Sequence, residues 1–221
     1  MCLLRDPKRA LVIGGGDGGT VREILRYESI EQVDLVEIDG MVIDASRRFF
    51  PEVARALDHP RLNVHVADGI KFVRKAADGT YDFVVVDSTD PVGIAEGLFG
   101  EAFYRDCARI MTPQGILVSQ SESPFDRAFQ GSIRQANELL ARLFGHAYTY
   151  LAFIPTYPLG MWSFMMASPQ RHPHQPVHCL ELAGRPNESG DEVLDARARR
   201  ELRERLREIE AEIEEAREAN D

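Results

Sequence analysis

With 221 residues, 44% of them hydrophobic and 28% charged, the chain holds apolar material for one sizeable core with an appendage, and no apolar run approaches the ~20 residues that span a bilayer. The formal net charge of −10 argues against a nucleic-acid partner, because phosphate binding needs concentrated Lys and Arg; it suits a cationic small molecule only weakly, since acidic proteins are commonly just well solvated. Cys2, Cys107 and Cys179 are widely spaced and odd in number, and the opening Met1-Cys2-Leu3-Leu4-Arg5-Asp6-Pro7 lacks the apolar core and cleavage site of a signal peptide, so free thiols and a cytoplasmic location are expected.

The first expected strand, 10–13, runs directly into Gly14-Gly15-Gly16-Asp17-Gly18-Gly19 and a helix over 20–27. Gly14, Gly16 and Gly19 satisfy a G-x-G-x-x-G pattern in strand-turn-helix context, where glycines let the backbone turn tightly and approach a nucleoside. Asp17 sets a negative charge inside that loop, which disfavours a phosphate and suits a sulfonium nucleoside carrying an amine; a plain helix N-cap is its other reading. The second strand, 33–37, ends in Glu37-Ile38-Asp39 at the spacing where an acid accepts hydrogen bonds from ribose hydroxyls. After a helix over 41–50 and a strand over 62–66 comes Val66-Ala67-Asp68-Gly69, where Asp68 either reaches an adenine amino group, caps the helix 69–76, or does both.

The fourth strand, 83–86, is apolar throughout and closes on Asp87-Ser88-Thr89-Asp90-Pro91. A fully buried strand delivers its succeeding residues to the carboxyl edge of the sheet, where such folds bind ligands. Two carboxylates there, Asp87 and Asp90, suit a cation or an amine that must lose a proton, against the alternative of a simple Asp-Pro turn. A helix over 102–111 and a strand over 116–119 lead to Ser119-Gln120-Ser121-Glu122-Ser123, adding the carboxylate of Glu122 to the same edge. A helix over 126–144 precedes two runs, 146–153 and 161–167, with no helix between them, which predicts an antiparallel pair closing the sheet. The connection Ile154-Pro155-Thr156-Tyr157-Pro158 carries Tyr157 and reads equally as a ligand contact or a structural turn.

Strands alternating with amphipathic helices specify an α/β protein with a seven-stranded, nucleotide-type sheet. The body is expected over 1–168, a Pro-, His- and Gly-rich linker over 169–190 and a charged helix over 191–221. In that helix Leu202, Leu206, Ile209, Ile213 and Ala216 form one narrow apolar stripe, suited either to docking on the body or to pairing two subunits into a homo-oligomer. His172, His174 and His178 look like a metal cluster, but without acidic or thiol partners at ligand spacing beyond Cys179 they read as an exposed linker, and no metal is expected.

The conjunction of Gly14-Gly15-Gly16-Asp17-Gly18-Gly19, Glu37-Ile38-Asp39, Asp68-Gly69, Asp87-Ser88-Thr89-Asp90-Pro91 and Ile154-Pro155-Thr156-Tyr157-Pro158, in this order, resembles the polyamine aminopropyltransferase (spermidine synthase) family over residues 7–168. The resemblance implies a Rossmann-like sheet of the class I S-adenosylmethionine-dependent methyltransferase type. It also implies transfer of an aminopropyl group from decarboxylated S-adenosylmethionine to putrescine or a related amine, releasing 5′-methylthioadenosine. By that resemblance Glu37 holds the ribose, Asp68 and Gly69 the adenine and Asp17 the donor's amine, Asp87 accepts the proton, and Asp90 and Tyr157 position the acceptor amine. Such an amine has a pKa near ~10.4, so at neutral pH almost none of it is nucleophilic until a carboxylate takes its proton. Three departures stand out: the loop begins at residue 14, so the family's N-terminal β-strand domain is expected to be missing; Ile94 replaces the usual proline; and the tail is unlike the family's. Two other readings are an S-adenosylmethionine-dependent methyltransferase on the same fold, and a non-catalytic nucleoside-binding paralogue that assembles with a full-length enzyme.

Overall fold

The central strands form where the chain is apolar on consecutive residues, so that both faces of the sheet are buried there. In the computed structural model, residues 3–89, 93–126, 130–157 and 159–170 are described, without the side chains of Gly93 and Ile94. Asp90, Cys2, Pro158, the histidines and Cys179 of the expected linker, and the expected helix at 191–221 lie outside those residues.

Strands β1 (Arg9–Gly14), β2 (Gln32–Glu37), β3 (Leu62–Val66), β4 (Tyr81–Asp87), β5 (Met111–Gln120), β6 (His146–Phe153) and β7 (Met161–Ser168) make a seven-stranded sheet in the order β3-β2-β1-β4-β5-β7-β6. The first five are parallel and in tight register: Ile13 lies beside both Val36 and Val86, and Gly14 beside Asp87. Their carboxyl ends are therefore flush, which assembles the residues succeeding four separate strands along one edge.

Alternate residues divide between two cores. Val12, Leu35 and Val85 pack with α1 (Gly19–Leu25), α2 (Gly40–Phe49) and α3 (Pro51–Ala54) on one face. Leu11, Val36 and Val84 pack with α4 (Gly69–Lys75), α5 (Glu101–Ile110) and α6 (Gln130–Phe144) on the other. Near the amino end of the sheet, buried Asp34 accepts hydrogen bonds from the Tyr81 hydroxyl at 3.0 Å and Asn63 Nδ2 at 3.1 Å, with His65 Nε2 at 3.0 Å. A buried carboxylate requires such partners; Asn63 and His65 come from the adjacent β3, and Tyr81 reaches across β1 from β4.

The final antiparallel pair is present, with one refinement: β7 inserts between β5 and β6, antiparallel to both, and the earlier strand β6 forms the outer edge. Strand β5 begins at Met111 rather than 116, with a register shift against β4 between Tyr81 and Phe83 that accommodates Pro113 and Gly115. Short 3-10 helices at Arg55–Asp58 and Gly93–Phe99 were not anticipated, because one or two tight turns are too brief to display a periodicity. Among the described residues, no helix is long and apolar enough to cross a membrane.

Candidate active site

The glycine loop is shaped by what crosses it. Gly14 leaves β1 with φ of +81°, and a Cβ there would stand 2.1 Å from the carbonyl oxygen of Asp87 on the neighbouring strand. Only glycine permits both that conformation and that approach. A Cβ at Gly16 would meet the Glu37 side chain at 2.8 Å. In its absence, the Gly16 N–H donates to Glu37 Oε2 at 3.1 Å and the Asp39 N–H to Oε1 at 3.0 Å. Glu37 is thereby buried with both oxygens oriented, each keeping a lone pair free for a further donor.

Asp17 is exposed and accepts from the Gly19 N–H at 2.9 Å, so it holds the first turn of α1 as well as facing the cavities. Asp68 caps α4, accepting from the N–H groups of Ile70 at 2.9 Å and Lys71 at 3.2 Å, with the Lys71 ammonium at 3.2 Å. Partial burial opposes its ionisation, yet the Lys71 N–H and ammonium and the Ile70 N–H outweigh that and hold its carboxyl below the usual range. Gly69 comes next, buried in the first turn.

Asp87 ends β4. Burial pushes its carboxyl upward and the neighbouring Asp17 adds to this, while the Thr20 hydroxyl, donating to Oδ2 at 2.6 Å, works the other way; the net shift is up. A carboxylate moved in this direction is a better proton acceptor.

Two cavities open along this edge. The first, of about 800 Å³, is bordered by the glycine loop, Glu37, Asp39, Asp68, Gly69 and the apolar Ile38, Val42 and Leu98. The second, of about 650 Å³, lies on the α1 side of the sheet and is walled by Gly19, Thr20, Tyr27, Phe83, Tyr150 and Phe164. Asp17, Asp87, Gln120 and Tyr157 border both, so the two meet at this neck. The neck is braced from the sheet: Trp162 Nε1 donates to Gln120 Oε1 at 2.9 Å, and Gln120 Nε2 to the Ser88 carbonyl at 2.8 Å. The Tyr157 ring packs edge-on against Trp162 with centroids 4.7 Å apart. Trp162 thus ties the β6–β7 connection to the residue next after Asp87.

Of the residues expected from sequence, Gly14, Gly16, Asp17, Glu37, Asp68, Gly69, Asp87 and Tyr157 border the first cavity, and Gly19 borders the second. Glu122 is different: it is 5% exposed, borders neither cavity, and its carbonyl accepts from the Ser163 N–H and hydroxyl. It lies two residues past the end of β5, whose last residue, Gln120, borders both cavities. Sequence reasoning missed Thr20, Gln120 and Trp162 as site residues. Gln120 had a signal, as the last residue of a strand at the carboxyl edge; Thr20 had none beyond its nearness to the loop.

The spermine/spermidine synthase domain model matches residues 1–176. The chain belongs to this family. Within the spermine/spermidine synthase domain family, it is 49% identical over 166 residues to a polyamine aminopropyltransferase of Clostridioides difficile (strain 630), covering 75% of this chain and 59% of that one. It is 48% identical over 166 residues to a protein of the same name from Alkaliphilus metalliredigens (strain QYMF), with 75% and 58% covered. Among solved structures of the family, a spermidine synthase in complex with the transition-state analogue AdoDATO superposes with a TM-score of 0.78 at 34% identity, covering 89% of this chain and 66% of that one. Spermidine synthase from Thermotoga maritima gives 0.76 at 34% identity, with 89% and 65% covered. The chain therefore spans about three fifths of the length of the curated relatives it matches.

Proposed function

We propose that the chain transfers an aminopropyl group from decarboxylated S-adenosylmethionine to a diamine such as putrescine, giving a spermidine-type product and 5′-methylthioadenosine. The observation that carries this reading is the neck: two cavities of small-molecule size meet at a carboxylate held ready to accept a proton. The solved relative's complex with AdoDATO and the names of the curated relatives support the same assignment.

In this reading the first cavity takes the nucleoside. Glu37, oriented by the Gly16 and Asp39 N–H groups, accepts from the ribose hydroxyls, and Asp68 with Gly69 borders the adenine, Asp68 serving there and as a helix cap together. Asp17 pairs with the ammonium of the aminopropyl chain, and its charge complements the sulfonium, which a dinucleotide's pyrophosphate would not tolerate. The acceptor amine enters from the second cavity, between Tyr157 and the aromatic wall. Asp87 accepts its proton as nitrogen attacks the carbon beside sulfur; the C–N bond forms, the C–S bond breaks and its electron pair stays on sulfur. The departing thioether is neutral, so no acid is needed. Asp90 belongs to this reading as a second contact for the amine. A methyl donor carries an α-carboxylate beside its ammonium, which the charge of Asp17 would oppose, and the curated relatives are named aminopropyltransferases; both disfavour the methyltransferase alternative.

The division into a catalytic body at 1–168, a linker at 169–190 and a charged helix at 191–221 is carried by composition, as is pairing of copies through that helix. Light scattering of the full chain against one ending at 168 tests that pairing. For the activity, purified protein is given decarboxylated S-adenosylmethionine with a panel of diamines and triamines. Methylthioadenosine formed in step with a new triamine or tetramine is the expected result; none above background with any acceptor overturns the proposal.

A further inference from the structure

Asp87 sits at a strand end, where a carboxylate's terminal torsion is broad and does not by itself choose an orientation. Only one described contact chooses it. The Thr20 hydroxyl donates to Oδ2 at 2.6 Å across 67 positions of sequence, the short distance of a charge-assisted bond. The donor is itself fixed: Thr20 lies in the first turn of α1, whose start is set by the left-handed Gly18 and by the Asp17 carboxylate on the Gly19 N–H. Its β-branched side chain has few rotamers to choose from. Room beside Oδ2 exists because residue 15 is glycine, since a Cβ there would stand 2.8 Å from Oδ2 and force the carboxylate to shift from the position in which Thr20 holds it. Among the described residues, Oδ1 takes no hydrogen bond.

We propose that Thr20 is the positioning residue of the transfer reaction: its hydroxyl anchors Oδ2 of Asp87 and thereby orients the carboxylate so that Oδ1 receives the acceptor amine's proton. This rests on the aminopropyltransferase reading and adds to it a residue outside the five motifs. The other charged or titratable groups bordering Asp87's two cavities are Asp17 and Tyr157, which border both, Arg22, Glu23, Tyr27 and Tyr150 in the second, and Glu37, Asp39 and Asp68 in the first. Arg22 Nε is engaged by Glu23 at 2.9 Å, which leaves Thr20 as the donor that acts on Asp87.

The test compares wild type with Thr20→Val, which keeps the shape and removes the hydroxyl, and with Thr20→Ser, which restores it. Thr20→Val is expected to lower kcat about tenfold with the donor KM within about twofold, the signature of a misaimed base with an intact nucleoside site. It also removes the bond that favours ionised Asp87, so the acidic limb of the pH–kcat profile moves to higher pH. The Asp87 carboxyl titration, followed by carbon NMR and assigned with Asp87→Asn, moves the same way, and Thr20→Ser returns all three toward wild type. An unmoved titration, or a Thr20→Val enzyme within twofold of wild-type kcat with an unmoved pH profile, overturns the proposal. The titration needs no turnover: if wild type forms no methylthioadenosine, the transferase reading falls, while the NMR result still decides whether Thr20 governs Asp87.

Discussion

Removing the charge of Asp87 is expected to separate activity from stability. Asn cannot take a proton from the attacking amine, and positioned proton acceptors are worth about 10²–10⁴ in rate, or roughly 2.7–5.4 kcal/mol of barrier at about 1.36 kcal/mol per tenfold. Stability runs in the opposite direction. Burial and Asp17 raise the Asp87 pKa in the folded state, so its favourable contribution is present below the unfolded value near ~3.9 and is lost as pH rises through the folded value. At pH 7 the ionised group therefore weighs against the fold, and Asp87→Asn, which keeps an oxygen for the Thr20 hydroxyl, should unfold at the same or higher urea concentration than wild type. Asp87→Ala removes that oxygen, and the half-buried hydroxyl of Thr20 loses its partner, a cost of about 1 kcal/mol. Single-turnover methylthioadenosine formation and urea unfolding at pH 7, run on all three proteins, supply both readings. An Asp87→Asn enzyme with more than a tenth of the wild-type rate, or one destabilised as much as Asp87→Ala, refutes the assignment of Asp87 as a buried proton acceptor.

Gly14→Ala should cost about 3 kcal/mol or more and abolish turnover, because φ of +81° and the 2.1 Å approach to the Asp87 carbonyl force β1 and β4 apart at the neck; chemical denaturation and activity should fall together. Trp162→Phe keeps a ring beside Tyr157 but removes the donor to Gln120, and a rise of roughly threefold to tenfold in the acceptor KM, with donor binding unchanged by calorimetry, is expected. Tyr81→Phe takes one donor from Asp34 at the far end of the sheet and should cost about 1–3 kcal/mol without touching kcat. Burial opposes ionisation of Asp34, but bonds from His65, Asn63 and Tyr81 outweigh it and lower its pKa. That stability is present above ~3.9 and is lost as pH falls through the folded value, so the Tyr81→Phe protein should begin acid unfolding, monitored by circular dichroism, at higher pH than wild type.

The sheet was legible because β1 and β4 are continuous apolar runs that lead into residues with chemistry, and the flush register of Gly14, Glu37 and Asp87 turns their ends into a site. Features that depend on contacts between distant segments were not legible. Thr20 in a helical first turn looks like any tolerated residue, and its role comes from a partner on β4. Trp162 reads in sequence as one more aromatic of the 154–162 connection until Gln120 lies beside it, and Glu122 gives no sign in sequence that it is buried. Asp17 and Asp68 show that the local and functional readings of a capping aspartate need not compete: each holds a helix start and borders a cavity. The order of the last two strands was hidden for another reason, since alternating apolar residues mark a strand without saying on which side its neighbour lies.

The placement of β7 also bears on how the chain can be made. Among the described residues β6 pairs only with β7, and β7 pairs with β5 on the side away from β4, so β6 has no ladder to join until β7 has formed. During synthesis from the amino terminus, a chain that has emerged only as far as Gly160 therefore carries an open β5 border and a detached, tyrosine-bearing segment. Both are surfaces that invite pairing between neighbouring nascent chains. Residues 161–168 join β6 to β5 in a single insertion, so the ordering of the segment before them waits on this short stretch.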